Sequence, residues 1–210
     1  MKSAIGYNQV KNIILGYSHR NPIIQARTRA MLGFQYVLAC RYGELITYRH
    51  KQGYETIGLV KSQIKEYPKY WEVTLPNFKQ GKIEYGTGFI LKDSGEDWLR
   101  DICMEWVAAC PTEQLFKIHQ SRAKDLCSKA LAPLGLDLLA STKRPYHYNT
   151  HHLRRSRADH LLKLFNFSIL DVQKTLRHKF LSSTQSYIDS SLQERIDKLQ
   201  NAKFQGFGTQ

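Results

Sequence analysis

The sequence lacks the paired cysteines of a disulfide framework or a zinc site. Its four cysteines form no C-x-x-C pair, and three of them lie in apolar stretches with helical spacing: Cys40, Cys103, Cys110 and Cys127. Buried free thiols in a reducing compartment account for such cysteines, although their spacing alone leaves a metal or redox role open. We therefore expect free thiols and no metal site.

Long apolar runs are also missing. No stretch approaches the roughly 20 apolar residues of a membrane-spanning helix. The first six residues are not followed by the apolar core of a signal peptide. The sequence contains no internal repeat and no low-complexity linker. These absences predict a soluble cytoplasmic protein that does not engage a membrane.

Acidic residues are scarce, since 18 Asp and Glu face 31 Lys and Arg, which gives a formal net charge of +13. In a chain of 210 residues, long enough to bury a sizeable core, this excess favours a polyanionic partner. Nucleic acid comes first and an acidic membrane surface second. The excess is greatest between residues 141 and 180, where nine Lys and Arg accompany two Asp. Such a run also fits an ordinary solvated face.

Apolar periodicity predicts a mainly helical α+β domain with a small antiparallel three-stranded sheet. Helical spacing recurs in four long stretches: 23–40, 98–110, 112–131 and 150–164. Stretches rich in β-branched and aromatic residues predict three strands: 56–60, 70–75 and 82–91. The segment 76–82 then becomes a hairpin turn that presents Lys79. Shorter helices are expected after Ser168 and after Ser182.

Two pairs of polar residues need an explanation within this scheme. His151 and Arg154 share one face near the start of a helix whose expected N-cap is Thr150. Because backbone N–H groups and the helix dipole favour an anion there, this pair indicates a phosphate site. Arg41 and Glu44 follow the apolar stretch 23–40. Buried charges are tolerated when they are paired or hold a ligand, so an ion pair and a ligand site are both open.

Taken in order, five elements resemble the tyrosine recombinases, the phage-type integrases. They are Arg41-x-x-Glu44-Leu45 after an apolar helix, a lysine in a β-hairpin turn, His151-x-x-Arg154, Leu176-x-His178, and Tyr187 nine residues after His178. The resemblance covers roughly residues 23–190. It implies a catalytic domain over residues 1–190. Residues 191–210 would form an amphipathic segment and tail that either docks on a neighbouring protomer or folds back on its own domain.

The chain departs from the family pattern at three places. Leu38-Ala39 stands where a Thr-Gly pair is frequent, Arg155 stands where a His is common, and Arg177 replaces the Gly usually found before His178. None of these differences removes a side chain that the resemblance makes catalytic. Arg177 does bear on the backbone at that helix end, because glycine favours the left-handed conformation found there.

The resemblance implies DNA strand transfer through a covalent phosphotyrosine. Arg41 and Arg154 would grip the non-bridging oxygens of a phosphodiester with planar N–H forks and stabilise the charge of the transition state. Tyr187 would attack the phosphorus and retain the DNA 3′ phosphate, while a 5′ hydroxyl leaves. The scheme needs no metal and no other cofactor.

Proton transfer would fall to the remaining residues of the resemblance. Lys79 would protonate the leaving 5′ oxygen, with Lys82 on the same hairpin as the alternative general acid. His151 would assist proton transfer from the tyrosine, and His178 would hydrogen-bond a non-bridging oxygen. Glu44 would orient His151 and the first arginine.

The expected partners follow from the charge and from the resemblance. Further basic residues are expected to contact DNA: Lys82, Lys143, Arg144, Arg155, Arg157, Arg177 and Lys179. The resemblance implies double-stranded DNA and a homotetramer formed on it. Family members usually carry an N-terminal domain that clamps the far side of the DNA, and about 22 residues precede the first long helix here. We therefore expect either an excised catalytic domain or a compact form that grips DNA from one side.

Site-specific recombination, such as integration or excision of a mobile element, is the preferred function. A type IB topoisomerase, a hairpin telomere resolvase and a catalytically silent DNA-binding module are the alternatives. His151 favours a recombinase over a topoisomerase, because topoisomerases usually carry a basic residue other than His at that position.

Overall fold

The structure, a computed structural model, describes residues 4–49, 55–79, 82–137 and 146–185. Its helices are α1 (Tyr7–Gly16), α2 (Pro22–Val37), α3 (Tyr42–Leu45), α4 (Asp97–Ala109), α5 (Gln120–Leu131), α6 (Thr150–Lys163), α7 (Ile169–Thr175) and α8 (Leu181–Gln185). Its strands are β1 (Tyr48–Arg49), β2 (Glu55–Thr56), β3 (Ile64–Glu66), β4 (Tyr70–Lys79), β5 (Lys82–Leu91), β6 (Leu136–Asp137) and β7 (Tyr146–His147). The predicted α+β class, mainly helical with a small three-stranded sheet, is confirmed.

The sheet has the antiparallel order β3-β4-β5, and its first strand differs from the prediction. Ile64–Glu66 pairs with β4, whereas Glu55–Thr56 pairs with β1. Gly58 ends the extended run with a φ of 73°, and this turn lets the N–H of Leu59 donate to the carbonyl of Leu45. The predicted strand 56–60 is therefore mostly a loop tied to α3.

The hairpin turn is shorter than predicted. The pairing of β4 with β5 continues from Tyr70 opposite Leu91 to Lys79 opposite Lys82. Pro76–Lys79 is therefore part of the strand. Lys79 and Lys82 are the last described pair of opposite residues in the ladder. Residues 80 and 81 lie outside the described part of the chain.

Helix α2 is the centre of the core, as its apolar sequence predicts. It packs against α4 and α6, and every residue from Ala30 to Cys40 is buried. Its start is fixed by Asn21, whose side chain accepts from the N–H groups of Ile23 and Ile24. The helix ends at Val37, three residues before the predicted end, because Ala39 takes a left-handed φ of 46°. This conformation turns the chain toward Arg41.

The helix predicted over 112–131 begins only at Gln120. The N–H of Leu115 donates to the carbonyl of Leu59, and the carbonyl of Glu113 accepts from Lys61. These tertiary bonds use backbone groups that a helix would need. Helix α4 spans Asp97–Ala109, one residue earlier at each end than the predicted 98–110, and Glu96 is its N-cap.

Helix α1 was not predicted, although Val10, Ile13 and Ile14 are buried at helical spacing. All four cysteines are free and buried, as expected. Within the described residues, no helix combines the length and the apolar character needed to cross a bilayer.

Candidate active site

The candidate site forms where the end of α2 meets the end of α7, with Arg154 of α6 between them. The Nη1 of Arg154 donates to the carbonyl of Ala39 at 2.5 Å, and its Nη2 donates to the carbonyl of Leu176 at 2.6 Å. Arg154 is 2% exposed, so these carbonyls provide acceptors for both terminal nitrogens of a guanidinium that lies inside the protein. The arginine joins the segment before Arg41 to the segment before His178.

His178 binds Arg154 and the next helix at once. Its Nε2 lies 3.0 Å from Nη2 of Arg154, and its Nδ1 lies 3.0 Å from Oγ1 of Thr184 in α8. A guanidinium can only donate, so Nε2 is the acceptor and the proton of the neutral imidazole sits on Nδ1. Nδ1–H then donates to the buried Thr184, three residues before Tyr187. No role in the site was predicted for Thr184 from the sequence.

Glu44 lies between two arginines. Its Oε1 is 3.3 Å from Nη1 of Arg41, and its Oε2 is 2.9 Å from Nη2 of Arg177. Arg41 was the expected partner. Arg177 was expected to contact DNA, and its side chain is only 7% exposed. The only signal available in the sequence was that Arg177 stands where the family that the sequence resembles usually has glycine.

Arg177 keeps the backbone conformation that glycine would provide. Its φ is 55°, a left-handed value that a non-glycine residue adopts at a cost of about 1 kcal/mol or more. The guanidinium offsets this cost through Nη1, which donates to the carbonyls of Leu38 at 3.1 Å and Thr175 at 3.2 Å. Arg154 and Arg177 thus cross-link the same two segments through neighbouring carbonyls.

His151 lies in the first turn of α6, one turn before Arg154, and is exposed. The helix begins one residue earlier than predicted, with Asn149 as its N-cap: Oδ1 of Asn149 accepts from the N–H of His151 at 3.1 Å. His152 completes the cap, since its Nδ1 accepts from the N–H of Asn149 at 3.0 Å. The carbonyl of Thr150 accepts from Gln35 of α2, which fixes the start of α6 beside the core.

The remaining predicted DNA contacts fall into different environments. Arg157 is buried and donates to Oε1 of Glu96 at 2.7 Å, which is the opposite of the solvent-facing position expected of a phosphate contact. Arg155 is half-buried on α6, and Lys179 is exposed beside the ring of Phe180. Four predicted site residues lie wholly or in their side chains outside the described part of the chain: Lys82, Lys143, Arg144 and Tyr187. The same holds for the side chain of Lys79 and for residues 191–210.

The described residues gather charge at this site without forming a metal centre. Among them, no three His, Cys, Asp or Glu side chains are arranged to hold a metal ion. Burial raises the pKa of the Cys40 thiol, and the neighbouring Glu44 raises it further. Cys40 is therefore a neutral core residue beside Arg41.

The chain is similar to known proteins in structure alone. No protein-family model matches the chain, and no curated protein matches it by sequence. The XerH site-specific recombinase, bound to a palindromic difH substrate in a post-cleavage complex, is 13% identical, with a TM-score of 0.67 over 94% of this chain and 52% of that chain. The XerA recombinase is 14% identical, with a TM-score of 0.64 over 97% of this chain and 66% of that chain.

The catalytic domain of the bacteriophage HP1 integrase matches over nearly all of both chains. It is 18% identical, with a TM-score of 0.55 over 97% of this chain and 99% of that chain. The present chain spans about half the length of XerH and about two thirds of XerA. These similarities show that the chain has the fold of tyrosine-recombinase catalytic domains.

Proposed function

We propose that the chain is the catalytic domain of a site-specific recombinase or integrase, which cleaves and rejoins double-stranded DNA through a covalent 3′-phosphotyrosine. The observation that carries the proposal is the junction of Arg154 with His178 and with the carbonyl of Ala39, two residues before Arg41. Arg154 and His178 are two of the polar residues that the motif spacing marks, and Ala39 lies in the segment that leads to Arg41, so these contacts support one common site. The basic net charge of +13 supports DNA as the partner.

Phosphate binding would begin with the two arginines. Arg41 is 43% exposed and would meet a non-bridging oxygen first. Arg154 would exchange its bond with Nε2 of His178 for a bond to the phosphate. His178 can then donate to a second oxygen through Nε2 once it gains a proton or shifts its proton from Nδ1. Arg154 and His178 would both stabilise the charge that builds up on the oxygens in the transition state.

Strand cleavage would then proceed by in-line displacement. The Oη of Tyr187 forms a bond to phosphorus while the bond from phosphorus to the 5′ oxygen breaks. The phenolic proton passes to His151, and the leaving oxygen takes a proton from Lys79 or, as the alternative, Lys82. Religation reverses each step, with a 5′ hydroxyl of the same or another strand as nucleophile. A homotetramer on DNA would place two such strands together, with residues 191–210 docked on a neighbouring protomer or on their own domain.

The decisive experiment traps the covalent intermediate. Nicked DNA from the flanks of the gene is incubated with the protein, denatured and run on a gel, so that loss of the short strand beside the nick prevents religation. We expect an adduct that survives denaturant, with the nucleotide on Tyr187, and no adduct from Tyr187→Phe. An adduct that persists in Tyr187→Phe contradicts the assigned nucleophile. A wild-type protein that binds this DNA without forming an adduct is a silent binding module.

A second assay separates recombination from the other strand-transfer activities. Relaxation of supercoiled DNA without a defined site would favour a type IB topoisomerase, and closure of hairpin ends would favour a telomere resolvase. We expect joining of two defined partner sites instead.

A further inference from the structure

Two guanidinium groups share the carboxylate of Glu44, and they differ in their access to solvent. The side chain of Arg41 is 43% exposed, whereas that of Arg177 is 7% exposed and that of Glu44 is 1% exposed. The buried arginine is also the closer partner, at 2.9 Å against 3.3 Å for Arg41. Arg41 is therefore placed to meet a ligand, and Arg177 is placed to hold the carboxylate.

The charges of this trio explain why a second arginine is useful. Guanidinium groups stay protonated at any accessible pH, so the two arginines and the one carboxylate carry a net positive charge together. If Glu44 were paired with Arg41 alone, it would cancel the charge that Arg41 brings to a phosphate. A buried carboxylate also needs a close cation, because an uncompensated buried charge is costly. Arg177 meets that need and leaves the charge of Arg41 for the ligand.

Arg177 is held in this position by its surroundings. Gly86 of β5 lies against it, and a Cβ at this glycine would collide with Cδ of Arg177 and lie 3.2 Å from its Cγ. Its Nη1 donates to the carbonyls of Leu38 and Thr175. The side chain is therefore confined between the sheet and the end of α2, with its Nη2 directed at Glu44.

We propose that Arg177 is a positioning residue for the phosphate site. It neutralises Glu44, so that Glu44 orients Arg41 without cancelling its charge. The inference rests on the proposed function and gives this arginine an indirect role instead of the direct DNA contact expected from its place in the sequence.

The test first removes the charge of Arg177 and then also removes the charge of Glu44, which the first change leaves without its buried cation. Arg177→Met keeps most of the side-chain length and the same backbone demand at φ 55°. We expect it to slow adduct formation on the nicked flanking DNA by about 10- to 100-fold, as the loss of an orienting partner does elsewhere. Adding Glu44→Gln removes the uncompensated carboxylate and should recover most of that loss.

Rescue is the result that a merely structural role would not produce. A residue that only supports packing would leave Arg177→Met with Glu44→Gln as slow as Arg177→Met alone, or slower. That outcome overturns the inference if the wild type forms an adduct. Unaltered adduct formation in Arg177→Met overturns it as well.

A readout without DNA keeps the two proposals distinguishable. Inorganic phosphate, compared with chloride at equal ionic strength, should raise the melting temperature of the wild type. The rise should shrink in Arg177→Met and return in the double variant. If the wild type forms no adduct but this phosphate pattern holds, the proposed function fails and the role of Arg177 stands. If neither the adduct nor the phosphate pattern is seen, both proposals fail.

Discussion

The guanidinium of Arg157 donates to the carboxylate of Glu96 at 2.7 Å inside the core, with both side chains less than a tenth exposed. The rings of Tyr36 and Phe165 lie 5.1 Å from the guanidinium carbon. The pair joins α6 to the N-cap of α4. It explains why this basic residue of α6 contributes to stability.

Breaking this pair should destabilise the protein strongly. Arg157→Met leaves Glu96 buried without its cation, and we expect a loss of about 3–5 kcal/mol in the free energy of unfolding. Urea denaturation followed by circular dichroism measures it. Arg157→Met combined with Glu96→Leu removes both charges and should recover much of the loss. A double variant that is less stable than Arg157→Met would contradict this account.

Gly58 should be irreplaceable because of its position as well as its backbone angle. A Cβ there would collide with the carbonyl of Leu45 and lie 2.6 Å from the carbonyl carbon of Ile46. Gly58→Ala should therefore cost more than the roughly 1 kcal/mol of left-handed strain, and it should displace α3 with Arg41 and Glu44.

Gly95 provides the matched control for this substitution. It has nearly the same φ, 74° against 73° for Gly58, and no atom lies within 4 Å of a Cβ built on it. Gly95→Ala should show the backbone strain alone, at about 1 kcal/mol. Equal losses in urea denaturation for the two variants would show that the contact with Leu45 is unimportant.

The sequence predicts the site best where the residues concerned lie close together in the chain. His151 and Arg154 could be placed on one helix face because three residues make most of a turn. The second partner of Glu44 could not be predicted, because Arg177 lies 133 residues away and no local pattern shows which distant charges meet. Arg157 was mistaken for a surface cation for the same reason, since its neutralising Glu96 belongs to a distant helix.

The errors in the fold have a related cause. Residues 112–119 have helical composition, but their backbone groups bond to the loop around Leu59 and Lys61. The strand Ile64–Glu66 is too short to show an alternating pattern and exists because β4 pairs with it. In both segments tertiary contacts override local preference.

The hydroxyl of Thr184 should affect catalysis more than stability, if the proposed function holds. It accepts from Nδ1–H of His178 and thereby fixes the imidazole whose Nε2 faces Arg154. Thr184→Val keeps the shape but removes the acceptor, and we expect adduct formation on nicked DNA to fall about 10-fold or more. Thr184→Ser retains the hydroxyl and should stay near the wild-type rate. Equal rates for the two variants would contradict this role.

The buried His160 should make stability depend on pH in mildly acidic solution. Burial lowers the pKa of His160 from its ordinary value of 6.5, and the nearby Arg157 lowers it further against the opposing effect of Asp159. The native imidazole is therefore neutral, and its Nδ1 lies 2.6 Å from the hydroxyl oxygen of Tyr36. As the pH falls below about 6.5, His160 gains a proton in the unfolded chain but stays neutral in the native protein, so folding becomes less favourable.

His160 should make the free energy of unfolding change by at most about 1.4 kcal/mol per pH unit. This change is confined to the range between the folded and the unfolded pKa of His160 and is absent above pH 7. Urea denaturation at several pH values between 5 and 7.5 measures it in the wild type and in His160→Gln, whose amide oxygen can still accept from Tyr36. We expect the variant to lose less stability on acidification than the wild type. Hydrogen bonds from Ser168 lower the pKa of Asp171 from its ordinary value of 3.8. Asp171 therefore changes the stability only below about pH 3.8, which is outside this pH range. Parallel pH profiles for the two proteins would show that His160 is not the group responsible.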